Sequence, residues 1–190
     1  MSEYVLQVGA DGFDRLEFLN SIFGEHSRNF LTRARLGEGH SVLELGCGAG
    51  SMTAWLASVV GRSGRVIAVD ASEDQIEIAR SVVKTAGFAN VEFLCSTVEG
   101  LDLPKNSVDL VYSRFLLMLL KDPLSVCRNA RRFSKKDGIL ACEEPHSSSV
   151  ATFPRSEGIE RLNEMFVELG KFQGFDFDIG NKLLSMERFA

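Results

Sequence analysis

Apolar residues along the chain alternate between two patterns, and the shorter pattern predicts strands. Runs of four or five residues rich in β-branched side chains lie between turn signals. These runs predict five strands, at 41–45, 65–69, 91–95, 108–112 and 139–142. Several of them are apolar nearly throughout, which is typical of strands covered on both faces.

The longer pattern, in which apolar residues recur at steps of three and four, predicts helices. These fall at 13–36, 52–60, 73–86, 115–133, 157–172 and 178–189. Gly24 predicts a break in the first helix. Ser72 predicts the N-cap of the helix at 73–86 and Gly87 its end, and the body of the next helix is expected to begin near Asp122-Pro123. The alternation of strands and helices predicts an α/β fold with a doubly wound, mostly parallel sheet of about five strands.

Composition and charge narrow the class of protein. The chain has 190 residues, of which 45% are hydrophobic and 25% charged, as expected for one globular domain. A net charge of −5 lacks the basic surface expected of a nucleic-acid binder or of a protein that lies on an anionic membrane. The sequence starts without a signal-peptide pattern, and its apolar runs are far shorter than the roughly 20 residues of a membrane-spanning helix. We therefore expect a cytoplasmic protein.

The four cysteines and three histidines do not follow the spacing of a metal site, so no metal is expected. Cys95 and Cys142 fall in runs that predict buried strands. Isolated buried thiols are normal in a reducing compartment.

The strongest chemical signal is a glycine-rich turn between the first strand and a helix. The strand at 41–45 runs into Gly46-Cys47-Gly48-Ala49-Gly50, where the lack of Cβ atoms lets the backbone turn sharply and approach a ligand. A dinucleotide fingerprint has the spacing G-x-G-x-x-G, and here Ser51 stands in place of its last glycine. Asp70 ends the second strand, where a carboxylate can accept hydrogen bonds from both ribose hydroxyls. The pattern predicts a nucleoside site at the carboxyl edge of the sheet.

Together with one further motif, these residues resemble those of a known family. The motifs at 44–50, 70–72 and 106–111 are similar to those of class I, seven-strand, S-adenosylmethionine-dependent methyltransferases, and the resemblance extends over 38–145. The segments 4–36 and 112–118 resemble bacterial small-molecule members of the class. The resemblance implies a Rossmann-like fold and direct methyl transfer from S-adenosylmethionine to a small-molecule acceptor, with S-adenosylhomocysteine as product. It also implies a single domain, 1–190, made of an N-terminal helical lid (1–37), a cofactor-binding core (38–145) and C-terminal helices (146–190).

The resemblance further implies the residues that bind the cofactor. They are Glu44, Gly46, Cys47, Gly48, Gly50, Asp70, Ala71, Thr97, Val98 and Ser113. The first five would hold the amino-acid end. Asp70 would bind the ribose, with Ala71 beside the adenine. Thr97 stands where relatives often have an aspartate that contacts the adenine edge, whereas the Val98 backbone amide can still donate to it. Ser113 would lie under the methionine moiety.

No catalytic residue is predicted. The methyl group of a sulfonium is already activated, so the task of the protein is alignment, and a base is needed only if the acceptor must lose a proton. Three residues have a weaker functional interpretation: Arg114 as a functional cation, His146 as a general base and Tyr4 as part of a substrate lid. The pattern favours a solvated charge for Arg114 and an exposed loop side chain for His146.

Two other functions are compatible with parts of the pattern. A binding module of the same fold, without turnover, would keep the glycine loop and Asp70. A nicotinamide-dependent oxidoreductase would need the longer glycine spacing, so the sequence counts against it.

The C-terminal end of the resemblance carries one more expectation. Relatives finish with a helix and a hairpin of two antiparallel strands, and this sequence ends at Ala190, where the hairpin is expected to begin. We expect five strands, with 139–142 at an open, apolar edge. A truncated chain would leave that edge open, a second copy would complete it in a homodimer, and residues 147–190 could cover it. Truncation is favoured, with cofactor binding surviving better than turnover.

Overall fold

Five strands and six α-helices alternate along the chain in a computed structural model that describes residues 9–189. The strands are β1 (Ser41–Leu45), β2 (Arg65–Asp70), β3 (Val91–Cys95), β4 (Val108–Arg114) and β5 (Ser134–Glu143). The helices are α1 (Gly9–Arg33), α2 (Ser51–Val60), α3 (Glu73–Thr85), α4 (Pro123–Phe133), α5 (Glu157–Phe172) and α6 (Leu183–Phe189). The predicted helix starts at Ser72 and near Asp122-Pro123 are both confirmed.

The strands form one sheet in the order β3-β2-β1-β4-β5. β1 and β2 are parallel, with Leu45 opposite Val69, and β2 and β3 are parallel, with Asp70 opposite Cys95. The order reverses between β1 and β4, which creates the topological switch point at which open α/β sheets bind ligands. The predicted five-stranded α/β sheet is confirmed, and so is the position of β5 at an edge of it.

The main core lies between the sheet and helices α1 and α2. Leu31 of α1 and Leu56 of α2 are fully buried there, together with Val66 of β2 and Tyr112 of β4. β1, β2 and β4 are buried almost continuously because their side chains are covered on both faces. The core therefore fixes the strands whose ends carry the glycine loop and Asp70.

The predicted break at Gly24 is wrong, because α1 is continuous from Gly9 to Arg33. A glycine inside a helix costs about 1 kcal/mol relative to alanine, which a helix of 25 residues packed against α2 and α3 can absorb.

The predicted start of β5 and its wholly apolar edge are also wrong. β5 begins at Ser134, and its first half carries the exposed residues Lys135, Lys136 and Asp137. The Lys135 ammonium lies 2.8 Å from the Asp109 carboxylate of β4, which ties this charged segment to the neighbouring strand. Lysine on an edge strand disfavours pairing with other chains.

The described residues form two compact units: 9–112 with 132–141, and 113–131 with 142–189. In the second unit, α5 packs on the segment before α6. The Phe166 and Phe177 rings stack with centroids 4.3 Å apart, and the Asn163 side-chain amide donates to the Ser147 carbonyl at 2.6 Å. Among residues 9–189, no helix combines the length and apolarity needed to cross a bilayer.

Substitution of Gly50 should test how tightly α2 meets α3. Gly50 has φ 84°, and a Cβ there would lie 2.7 Å from the Ala79 Cα, whereas Gly87 has φ 83° with nothing within 4 Å. Alanine at either position carries a backbone cost of about 1–2 kcal/mol, and at Gly50 overpacking adds about 1–3 kcal/mol. Chemical denaturation should therefore show a clearly larger loss of unfolding free energy for Gly50→Ala than for Gly87→Ala. Equal losses would contradict the close packing.

Candidate functional site

The turn after β1 depends on backbone conformations that glycine adopts readily. Gly46, Gly48 and Gly50 have φ of 73°, 52° and 84°. The N–H groups of Gly46 and Cys47 both donate to the Val69 carbonyl, at 2.8 and 2.9 Å. The spacing of the glycines is therefore explained by the backbone, which turns sharply while remaining attached to β2.

Asp70 lies at the end of β2, and its side chain holds the glycine loop in place. It is only 6% exposed. Its Oδ2 accepts from the Gly48 N–H at 2.9 Å, and its Oδ1 accepts from the Ser72 N–H at 3.0 Å. Burial raises the pKa of Asp70, and the hydrogen bonds from the Ser72, Gly48 and Ala71 amides oppose that rise. A carboxylate has about four acceptor sites in total, so Asp70 can accept from a ribose hydroxyl in addition to these amides.

Glu44 supports the loop from inside β1. Its side chain is buried, and its Oε2 accepts from the Thr53 hydroxyl of α2 at 2.6 Å. Burial, with the added charges of Glu44 and Asp70, raises the pKa of the Cys47 thiol. Cys47 is therefore a protonated, buried side chain of the loop rather than a nucleophile.

The segment after β3 continues the same edge of the sheet. The Ser96 N–H donates to the Asp70 carbonyl at 2.9 Å. Ala71 and Thr97 are exposed and Val98 is buried. The Thr97 hydroxyl accepts from the Gly100 N–H at 3.2 Å, so it orders the turn that it begins. The first unit thus brings together nine of the ten predicted cofactor-binding residues.

The expectation that Cys95 is buried is wrong. Cys95 is the last residue of the edge strand β3 and is exposed. Its thiol lies 3.8 Å from the Ala71 carbonyl. An edge strand lacks a neighbour on one side, so a run of apolar residues there does not imply full burial.

Sequence reasoning missed the contacts between α1 and the glycine loop. Leu16 Cδ1 lies 3.2 Å from the position that a Cβ of Gly48 would occupy. The Ser51 hydroxyl donates to the Glu17 carboxylate. These contacts set α1 against the loop, while its role as a lid stays a prediction. Tyr4 lies outside the described residues.

Ser113 belongs to the second unit, at the end of β4. It is fully buried, and its hydroxyl has no hydrogen-bond partner among the described residues. Arg114 lies with its guanidinium 5.9 Å from the centre of the Phe115 ring. His146 is exposed, with its Nε2 3.4 Å from the Asn181 side-chain nitrogen.

Sequence reasoning also missed Glu144, which organises the turn after β4. Its Oε1 accepts from the Leu116 and Leu117 N–H groups, at 2.9 and 2.8 Å, and its Oε2 accepts from the Met118 N–H at 3.3 Å. Burial raises the pKa of Glu144 to about 7, although the three amides oppose the rise. The carboxylate caps a 3₁₀ turn (Leu117–Leu119) that has no acidic residue in its own first turn.

Comparison with known proteins defines the class. A family model described as a methyltransferase domain matches residues 36–183, so the chain belongs to that family. The resemblance to class I S-adenosylmethionine-dependent methyltransferases is therefore confirmed.

Individual relatives agree with this membership. The demethylmenaquinone methyltransferase of Lactococcus lactis is 37% identical over 115 residues, which are 60% of this chain and 46% of that protein. A SAM-dependent methyltransferase of Aquifex aeolicus has 29% identity and a TM-score of 0.60, over 75% of this chain and 77% of that one. Coclaurine N-methyltransferase, crystallised with N-methylheliamine and SAH, has 27% identity and a TM-score of 0.55, over 60% and 33% of the two chains. The chain spans about half the length of the curated relatives it matches.

Glu144→Gln should change how stability depends on pH. The folded protein raises the pKa of Glu144 from 4.5 to about 7, so this group contributes stability below pH 4.5 that is lost as pH rises through 7. From pH 5 to pH 8 the wild type should therefore lose up to about 3 kcal/mol relative to the glutamine variant. Denaturant unfolding at several pH values measures the difference. Glu99→Gln, at an exposed site, is the control and should follow the wild type. Parallel curves for wild type and Glu144→Gln would show that Glu144 does not titrate as described.

Proposed function

We propose that this protein is a methyltransferase that binds S-adenosylmethionine at the carboxyl ends of β1 and β2 and methylates a small organic acceptor. The observation that carries the proposal is the hydrogen bond between the Gly48 amide and the buried Asp70 carboxylate. It connects the glycine loop, whose backbone a ligand can approach, to a carboxylate that can accept hydrogen bonds from ribose hydroxyls. Both lie next to the switch point of the sheet.

The residues of the first unit suit the parts of this cofactor. Asp70 offers acceptors for the ribose hydroxyls. The loop at 46–50, supported by Glu44, would hold the amino-acid end. Ala71, Thr97 and Val98 would contact the adenine.

The chemistry required of the protein is modest. When bound, S-adenosylmethionine supplies a methyl group already activated by its sulfonium. The residues of the chain then need to hold and orient it, and alignment of two reactants can lower a barrier by roughly 7–11 kcal/mol. The buried carboxylates of Glu44 and Asp70 also give the site a negative potential that suits a cationic ligand.

A small organic acceptor agrees with the names of the relatives. One is named for demethylmenaquinone and another for coclaurine. The acidic charge of −5 disfavours nucleic acid as the acceptor. A demethylmenaquinone-like phenolic quinol is the first acceptor to test, with a secondary amine as the second. Transfer of labelled methyl from S-adenosylmethionine to either compound would support turnover. Binding of the cofactor without transfer to any of a broad panel of acceptors would support the binding module instead.

Asp70→Ala should weaken binding of S-adenosylhomocysteine by about 1–3 kcal/mol, because hydrogen bonds to a charged acceptor are lost. Isothermal titration calorimetry measures the affinity, and circular dichroism shows whether the variant is folded. Asp74→Ala is the matched control, since Asp74 is an exposed carboxylate in the first turn of α3, and it should bind as the wild type does. Unchanged affinity in folded Asp70→Ala, or comparable binding of NAD by the wild type, would overturn the assignment.

A further inference from the structure

Helix α5 has two apolar sides, and only one of them packs within the second unit. Val167 and Gly170 are buried on that side. The missing Cβ of Gly170 lets the Phe177 ring approach closely, because a Cβ there would lie 2.7 Å from Phe177 Cδ2. The position of the helix in its unit is fixed by these contacts and by the Asn163–Ser147 hydrogen bond.

The other apolar side of α5 is open to solvent. We call it the α5 face, and its residues are Ile159, Leu162, Met165, Phe166, Leu169 and Phe172. Phe166 lies at the border of the face, because its ring stacks on Phe177 and is still 46% exposed. Leu162 is 67% exposed and Phe172 is 90% exposed. At about 100° per residue the six side chains cover an arc of roughly 140° on the helix. Single exposed apolar residues are ordinary, but a contiguous set of large ones marks an interaction surface.

The order of residues on the α5 face is symmetric about its midpoint. Met165 and Phe166 flank that point. Leu162 and Leu169 lie equally far from it on either side, and so do Ile159 and Phe172. When two copies of a helix pack antiparallel about a two-fold axis, positions equidistant from the midpoint come to the same level. The same patch then serves on both subunits.

The charges beside the α5 face would also be complementary to each other in an antiparallel pair of helices. Arg161 and Glu168 are exposed along one edge of the face, on opposite sides of its midpoint. In an antiparallel pair this edge meets the same edge of the other copy. Arg161 of one copy then lies about two residues, or roughly 3 Å, along the axis from Glu168 of the second copy. Within one helix, Arg161 can pair only weakly with Glu164, because the two charged groups are 4.0 Å apart and the Arg161 side chain is 78% exposed.

We propose that the α5 face is a homodimer interface, in which α5 packs antiparallel against α5 of a second copy of the chain. An anionic lipid surface is a poorer partner, since α5 carries Glu157, Glu160, Glu164 and Glu168 against Arg161 and Lys171. The interface uses residues of the second unit and is independent of the methyl-transfer proposal.

Sedimentation equilibrium at about 100 μM protein tests the proposal. The wild type should be dimeric, and Leu162→Glu should be monomeric because it places a charge within the apolar interface. Lys171→Glu is the matched control, as it changes charge on the opposite side of the same helix, and it should remain dimeric. Circular dichroism shows whether each variant is folded. A monomeric wild type would overturn the proposal, and its sedimentation with neutral phosphatidylcholine vesicles would assign the face to lipid instead.

A charge exchange tests the antiparallel register. Arg161→Glu alone should weaken the dimer at least about 5-fold, since it places like charges together across the interface. The double variant Arg161→Glu with Glu168→Arg should restore the wild-type dissociation constant. Failure of the double variant to recover, or a dimer that survives Leu162→Glu, would contradict an interface built on this face.

Discussion

The hydrogen bond from the Gly48 amide to the buried Asp70 carboxylate is the constraint on which the candidate site depends. A carboxylate that is 6% exposed is unfavourable unless donors replace the lost water. Gly48 and Ser72 supply those donors from two different segments. The glycine loop, in turn, needs the carboxylate to stay in a conformation with φ near 52° at Gly48. Loop shape and buried charge thus stabilise each other.

The surrounding elements position this pair. Parallel pairing of β1 with β2 brings both strand ends to one edge of the sheet. Gly50 lets α2 start against Ala79 of α3, and the Thr53–Glu44 hydrogen bond fixes α2 to β1. Leu16 then covers the loop from α1. The site is built on strands and helix ends within one unit, which suits a task that consists mainly of holding a ligand in place.

Much of the fold could be predicted from local chemistry, and the remainder depended on tertiary contacts. The strands and the Ser72 cap could be predicted because the spacing of apolar residues and the capping of a helix both depend on residues only a few positions apart. The start of β5 could not be predicted in this way, because Lys135 is held by Asp109 of another strand. Glu144 was missed for the same reason, since the amides that it caps lie far from it in sequence. Gly24 showed the opposite error, in which a local signal was overridden by packing. Within the candidate site, Asp70 and the glycines could be recognised from the motif, whereas Leu16 and Glu17 could not.

One edge of the sheet, from the glycine loop to the end of β2, is the proposed binding site of the adenosyl cofactor. Titration of ¹⁵N-labelled protein with S-adenosylhomocysteine, followed by amide NMR, tests it most directly. If the cofactor binds at this edge, the amide signals of Gly46, Gly48, Gly50 and Ser72 should shift saturably with one dissociation constant, and NAD should shift none of them. Saturable binding of S-adenosylhomocysteine that leaves these four amides unshifted would contradict it.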